Sequence, residues 1–347
     1  MENSNAEILS KCFQDIYQWG LTTSSGGNIS AKEDNQLICI SPSQIDKAYL
    51  MAKDFSILTL DGKQMNENKP SMEYPFHLEV YNKFPQVSVM IHIHSPAFVA
   101  LSLLAKENPK LIEVSRKFKL GYAEYAMPGS DLLGSNICET IQKGYVSIIM
   151  QNHGFLAVGK NISKVLDHIR ELYHSIVAYL NIKHLYEEFS IRGRFELNKQ
   201  ENISFYKKRI RHYLSIAKDS KIIYHQENGF IYAAVQLSSL TRIPRSEFST
   251  HIIPESYLLL KNPLIINDQF CINDFKGYQK LFKQEEEVIL FNEGWSVFKA
   301  KSLYEMYDKM EVLDFTAKVI SLAREAGEVE LLSNEQIIEL EGRFFKQ

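Results

Sequence analysis

Residues 147–180 lie over residues 287–320 without a gap, with Asn152 meeting Asn292, Gly154 meeting Gly294 and Glu171 meeting Glu311, each pair 140 positions apart. Each stretch reads as an apolar strand, an Asn-x-Gly turn, a second strand and a long helix. A pattern that switches from strand to helix period and then recurs limits the chain to an α/β protein built from two related halves. A length of 347 residues suits that reading, because it exceeds one ordinary domain and lets each half bury its own core. The polar stretch 187–202 between them sets the boundary near residue 190, giving halves 1–190 and 191–347.

The halves are not equivalent. His153 in the first turn is replaced by Glu293 in the second, and nothing in the second half resembles His92-Ile93-His94. Pro70-x-x-Glu73-x-x-x-His77 has only a faint echo in Pro244-x-x-Glu247-x-x-x-His251. The second half therefore reads as a shorter, degenerate copy without a metal site.

In the first half, residues 5–19 carry Ile8, Leu9, Cys12, Phe13, Ile16 and Tyr17 at helical spacing, with Gly20 as a stop. The small-residue stretch TTSSGGNIS reads as a loop, and LICIS and FSILTL as strands before the Asp61-Gly62 turn. A helix is expected from about Glu73, with Ser71 as its cap, Pro75 in its first turn, and Met72, Phe76 and Val80 on one face. SVMIHIHS reads as a buried strand, AFVALSLLA as a helix, and Ser163 to Leu185 as the long helix that closes this half.

Side chains alternate along a strand, so His92 and His94 point the same way and are close enough to share an ion. Taken alone, the pair fits neutral packed imidazoles as well as it fits ligands. His153, between apolar strands and beside Gly154, supplies a third ring nitrogen and leaves one position of a tetrahedral ion open. Glu73 has two readings: a dipole complement at a helix start, or, near a cation, a fourth ligand at rest that becomes a general base when substrate displaces it. The loop Ser24-Ser25-Gly26-Gly27-Asn28 is a cradle for phosphate or carboxylate, or simply a turn. Neither a P-loop nor a dinucleotide fingerprint is present.

A formal net charge of -3 gives no broad basic field for nucleic acid, so a small-molecule partner is expected. No apolar run reaches the roughly 18 residues of a membrane helix, and the opening MENSNAEILSKCFQ lacks the basic and apolar segments of a secretion signal, which points to the cytoplasm. Cys12, Cys39, Cys138 and Cys271 form no C-x-x-C pair and read as reduced thiols.

Taken in order, Ser25-Gly26-Gly27-Asn28-Ile29-Ser30, Ile40-Ser41-Pro42-Ser43, Asp61-Gly62, Lys69-Pro70-Ser71-x-Glu73-x-x-x-His77, His92-x-His94-Ser95 and Asn152-His153-Gly154 resemble the class II aldolase/adducin family over residues 5 to 185. The resemblance implies a three-layer α/β fold, here duplicated with a shorter second copy. It implies His92, His94 and His153 as ligands of a divalent metal, usually Zn2+, and Glu73 as the acid/base. It further implies Ser25, Gly27, Asn28, Ser43 and Ser71 as holders of a sugar or sugar phosphate, and a homo-oligomer in which two duplicated chains reproduce a four-domain ring. The reaction it implies is aldol cleavage of a ketose or ketose phosphate through a metal-bound enediolate. Epimerase or dehydratase chemistry at the same site, or a non-catalytic adducin-like binding role, are the alternatives. Gln44 and Met72 stand where phosphate-handling members have a glycine and a serine. The family's proton-donating tyrosine has no counterpart between Phe98 and Leu120, which leaves Tyr122 or Tyr125 as substitutes.

Overall fold

The computed structural model describes residues 4–33, 36–43, 45–181, 222–227, 229–271, 275–282 and 287–345. Gln44, the polar stretch 187–202, the last residues of the helix expected to reach Leu185, and a helical pattern over 204–217 lie outside the described residues. The chain divides into two compact units, Met1–Arg194 together with Leu322–Gln347, and Phe195–Ser321. The sequence places a single cut near residue 190, whereas in the structure residues 322–347 belong with the first unit.

In the first unit, α1 (Asn5–Gln18) opens on a capping box. Ser4 Oγ accepts the Glu7 N–H and the Glu7 carboxylate accepts the Ser4 N–H, which occupies two of the donors a helix start leaves unpaired. Leu9, Cys12, Phe13, Ile16 and Tyr17 form its buried face. Strands β1 (Asn28–Lys32), β2 (Leu37–Ile40) and β3 (Ser56–Thr59) follow, then α2 (Tyr74–Lys83) and β4 (Val89–Ile93). After them come α3 (Pro96–Ser102), α4 (Pro109–Phe118), β5 (Gly121–Ala123), α5 (Asp131–Gln142), β6 (Ser147–Met150), β7 (Gly154–Gly159) and α6 (Ile162–Tyr179).

The seven strands form one sheet in the order β3-β2-β1-β4-β7-β6-β5, with every neighbour antiparallel except β5 and β6. Strand alternation divides its core. Met90, Ile148, Met150, Leu156 and Val158 pack with Phe76, Val80 and Tyr81 of α2 and with Leu133 and Ile137 of α5. On the other face Phe155 stacks on Phe98 of α3 with ring centroids 4.0 Å apart, and Tyr173 of α6 meets Phe98 edge-on.

Two local expectations change. The stretch read as a loop through Ser30 is a strand from Asn28 onward, because Asn28–Ala31 pair with β4 and Ser30–Lys32 with β2. The cap of α2 is Glu73, not Ser71, and Met72 lies on the exposed side, 40% accessible.

Residues 322–345 complete the first unit. Glu330 N–H bonds the Leu103 carbonyl at 2.7 Å, and Arg343 reaches the Gly129 carbonyl at 3.0 Å from α10 (Asn334–Phe344). Asn152 Nδ2 donates to the Glu330 carbonyl at 2.8 Å, and Gln151 Nε2 to the Glu330 carboxylate at 3.0 Å.

The second unit holds β8 (Ile222–Glu227), β9 (Phe230–Gln236), α7 (Pro254–Leu260), β10 (Leu264–Ile265), α8 (Phe275–Tyr278), β11 (Val288–Leu290) and β12 (Trp295–Ala300), followed by the start of α9 (Leu303–Ala326). Its sheet runs β8-β9-β12-β11-β10, antiparallel throughout except β10 with β11. This is the order and sense of β1-β4-β7-β6-β5. Pro244–His251 follows β9, whereas Pro70–His77 precedes β4, so the faint echo between them does not occupy matching places. Among the described residues no helix is long and apolar enough to cross a membrane. Cys12, Cys39 and Cys138 are buried free thiols, and Cys271 is free and exposed.

Candidate metal centre

Three stretches bring four side chains together. His92 is the fourth residue of β4, fully buried, with Asn28 beside it in β1 and Leu156 in β7. His94 leaves the end of the same strand just before Ser95 caps α3. His153 stands in the β6–β7 turn, where Asn152 takes a left-handed backbone (φ 47°) that asparagine tolerates better than most residues. A Cβ on Gly154 would come within 2.8 Å of the His94 ring and the Ile93 carbonyl, so the turn closes on the strand only through glycine.

His94 Nε2 lies 3.0 Å from His92 Nε2, His153 Nε2 lies 3.1 Å from Glu73 Oε1, and His92 Nε2 lies 3.4 Å from Glu73 Oε2. One ligand nitrogen from each of the three histidines falls within 4.8 Å of the others. His92 Nδ1 is 3.0 Å from the Phe155 carbonyl and must donate to it, which leaves Nε2 bare and aimed at its neighbours. Burial pushes the His92 pKa well below the ordinary histidine value, so the ring is neutral, the form that binds metals.

The donor set fits a divalent ion. Two nitrogens each about 2.0–2.1 Å from one tetrahedral ion lie about 3.3 Å apart, close to the 3.0 Å separation of His92 and His94. Glu73 Oε1 is buried without a hydrogen-bond partner, and a buried polar atom of that kind calls for a polar partner or ion. Burial raises the Glu73 pKa, but His153 and His92 outweigh it and hold the carboxyl below the ordinary carboxylate range.

Behind Glu73, Asn28 Nδ2 donates to Oε2 at 2.7 Å and Asn28 Oδ1 lies 2.6 Å from His77 Nε2. Of the residues expected to hold substrate, Gly27, Asn28 and Ser71 contact members of this arrangement directly. Gly27 (φ 70°) lies directly against β4, and a Cβ there would come within 2.4 Å of the His92 carbonyl. Ser25 is half-buried in the same loop. Ser43 Oγ donates to the Pro70 carbonyl and accepts the Met72 N–H, both at 3.0 Å, while Ser71 Oγ accepts the Glu73 N–H at 3.3 Å. The Ser43 hydroxyl ties the loop after β2 to the loop that carries Glu73, within which the Ser71 hydroxyl braces the Glu73 N–H.

Gly27→Ala is expected to destabilise the first unit by about 1–3 kcal/mol, from the left-handed backbone and the clash with β4; urea unfolding measures it. Burial also lowers the His77 pKa from 6.5 to about 3. The unfolded chain then takes up a proton that the folded chain refuses. The contribution of a neutral His77 is complete above about 6.5 and is lost as pH falls toward about 3. His77→Gln should make the loss of urea stability below pH 6.5 shallower.

The sequence pattern of the family described as Class II Aldolase and Adducin N-terminal domain matches residues 7–180, half of the chain. The chain belongs to this class II aldolase/adducin family. A 3-oxo-tetronate 4-phosphate decarboxylase of Haemophilus influenzae is 26% identical over 184 residues, covering 51% of this chain and 87% of that protein. An L-fuculose phosphate aldolase of Methanocaldococcus jannaschii is 32% identical over 154 residues, covering 44% of this chain and 82% of that protein. Among solved structures, an L-fuculose 1-phosphate aldolase matches 61% of this chain and 98% of its own, with a TM-score of 0.45 and 23% identity.

Among the described residues of the second unit of this class II aldolase/adducin family member, no such histidine set occurs. His92 faces Leu156 across β4 and β7, and Val235 faces Ser296 across β9 and β12, where Leu156 and Ser296 are matched positions of the sequence repeat. Val235 and Leu237 thus stand in register where the first unit has His92 and His94, and Glu293 stands where it has His153. His77 is the buried neighbour of the site that sequence reasoning passes over as part of a motif. Its signal was the spacing of four residues from Glu73 along one helix face.

Proposed function

We propose that this chain is a metal-dependent carbon–carbon lyase that cleaves a ketose or ketose phosphate by way of an enediolate, releasing a dihydroxyacetone-type fragment and an aldehyde. The observation that carries this reading is the convergence of three buried imidazoles, His92, His94 and His153, beside the buried Glu73 carboxylate. His92, His94 and His153 would hold the ion, and a set of three nitrogen donors suits Zn2+. When bound, the cation supplies a Lewis acid for the carbonyl and neighbouring hydroxyl oxygens of the substrate.

The protein's own groups do the rest. Glu73 takes the proton from the hydroxyl whose carbon departs as the aldehyde, and returns it to the carbon of the enediolate, so the proton count closes on one carboxylate. Asn28 keeps that carboxylate aimed while it changes charge. The burial of His92, His94, His153 and Glu73 keeps bulk water from the enediolate before it is protonated. Ser25, Gly27, Ser43 and Ser71 are the groups we assign to orienting the far end of the sugar, whereas Asn28, expected among them, is committed to Glu73 and His77.

One observation favours a second reading, decarboxylation of a 3-keto sugar acid through the same enediolate. That reaction needs a single proton transfer, to carbon, and so needs no tyrosine. The stand-ins Tyr122 and Tyr125 have buried hydroxyls without hydrogen-bond partners, and burial pushes both phenols up. Incubating the protein with phosphorylated and unphosphorylated ketoses and with 3-keto sugar acids, with and without chelator, decides between them. Aldehyde release supports the first reading and carbon dioxide the second. Epimerised or dehydrated product, or no chelator-sensitive turnover at all, overturns both.

We further infer that the second unit is a diverged copy of the first, reduced by the loss of the segment corresponding to β2, β3 and α2. The shared strand order and the register of Val235 against His92 support this. Its expected outcome is one ion per chain, not two.

A further inference from the structure

The hydrogen bonds behind Glu73 continue well past Asn28. His77 Nδ1 lies 2.7 Å from Ser30 Oγ, and Ser30 Oγ lies 2.7 Å from the Tyr81 hydroxyl. Tyr81, Ser30, His77 and Asn28 are each no more than 2% exposed, so no water enters the chain to reverse a link.

The direction of every link follows from its end. The Glu73 carboxylate can only accept, so Asn28 presents its NH2 to Oε2 and its carbonyl to His77. His77 Nε2 must therefore carry a hydrogen and donate it. Because burial keeps the ring neutral, His77 Nδ1 is bare and accepts the Ser30 hydroxyl proton. The Ser30 oxygen then accepts from the Tyr81 hydroxyl. All four donors point toward Glu73.

We propose that His77 is a positioning residue which, through Asn28, fixes Glu73 so that Oε2 is permanently anchored and Oε1 alone exchanges the proton with substrate. A proton on Oε2 would meet the Asn28 N–H, donor against donor. On Oε1 it meets no amide N–H, the neighbour there being His153 Nε2 at 3.1 Å, one of the ring nitrogens that would hold the ion. Without the His77 donor, the Asn28 amide is free to turn its carbonyl toward Glu73 and favour a proton on the wrong oxygen. Ser30 serves by holding the His77 tautomer. The effect on turnover rests on the lyase reading, whereas the tautomer of His77 does not.

Two measurements on the full-length protein test this. In 15N NMR of histidine-labelled protein, the resonances absent from His77→Gln identify His77, which should be a single neutral Nε2–H tautomer. In kinetics, glutamine offers a donor near the place of Nε2, whereas asparagine reaches only the Nδ1 side. H77Q should retain most of kcat, and H77N should lose about 10–100-fold, the usual cost of removing an outer partner that orients a reacting group. KM and bound metal should be unchanged in both. An Nδ1–H tautomer, or equal losses in H77Q and H77N, overturns the assignment. A chain with the expected tautomer but no turnover on any ketose or keto acid overturns the lyase reading instead.

Discussion

Glu73→Gln should lower turnover by about 10²–10⁴-fold, the range that a positioned acid/base contributes, while the purified variant keeps its bound ion. Glutamine is close in shape to glutamate and retains an oxygen for Asn28 to bond, so the wall behind it stays in place. What it lacks is a group that takes up and returns a proton. Metal analysis beside steady-state kinetics separates the two effects. A variant that loses metal together with activity would make Glu73 a ligand that matters for retention, and one that keeps full activity would remove it from the chemistry altogether.

The second large effect concerns the ion. Each of His92→Ala, His94→Ala and His153→Ala should weaken metal binding by more than the roughly 10–100-fold that follows loss of an outer partner, and chelation of the unaltered protein should abolish turnover reversibly. His92→Ala should be the most damaging to the fold, because it removes a fully buried ring and its hydrogen bond to the Phe155 carbonyl between two central strands. His153→Ala, in a turn, should leave the unfolding midpoint closest to that of the parent. Metal titration followed by calorimetry reads both quantities. Metal affinity unchanged from the parent in all three variants would mean that the rings do not share an ion.

Much of this centre is legible in the sequence because its candidate ligands lie in strongly periodic segments. His92 and His94 announce a shared face by their spacing in an apolar strand, and His153 is marked by the Asn-x-Gly turn between two more. The opening helix, expected over 5–19, is observed over Asn5–Gln18. Pairing between distant segments is what local pattern does not carry. Asn28 looks like the end of a small-residue loop because its partners, Glu73 and His77, lie 45 and 49 residues away. Once Asn28–Lys32 pairs with β2 and β4, the same residue becomes the start of a central strand, and its amide turns to Glu73. Met72 fits the apolar spacing of Phe76 and Val80, yet it precedes the helix, where that spacing no longer applies. The return of residues 322–345 to the first unit has no local signature at all, since an amphipathic helix such as α10 does not declare which surface it covers.

That return has a consequence for how the protein is made. The turn bearing His153 is braced by Asn152 and Gln151 against Glu330, some 180 positions later in the chain. During synthesis the three histidines leave the ribosome early, but the brace emerges only after the whole of residues 195–321 has been translated. The nascent chain must therefore carry an unbraced centre through that interval, and a product terminated near residue 190 would have all three histidines without their finished support.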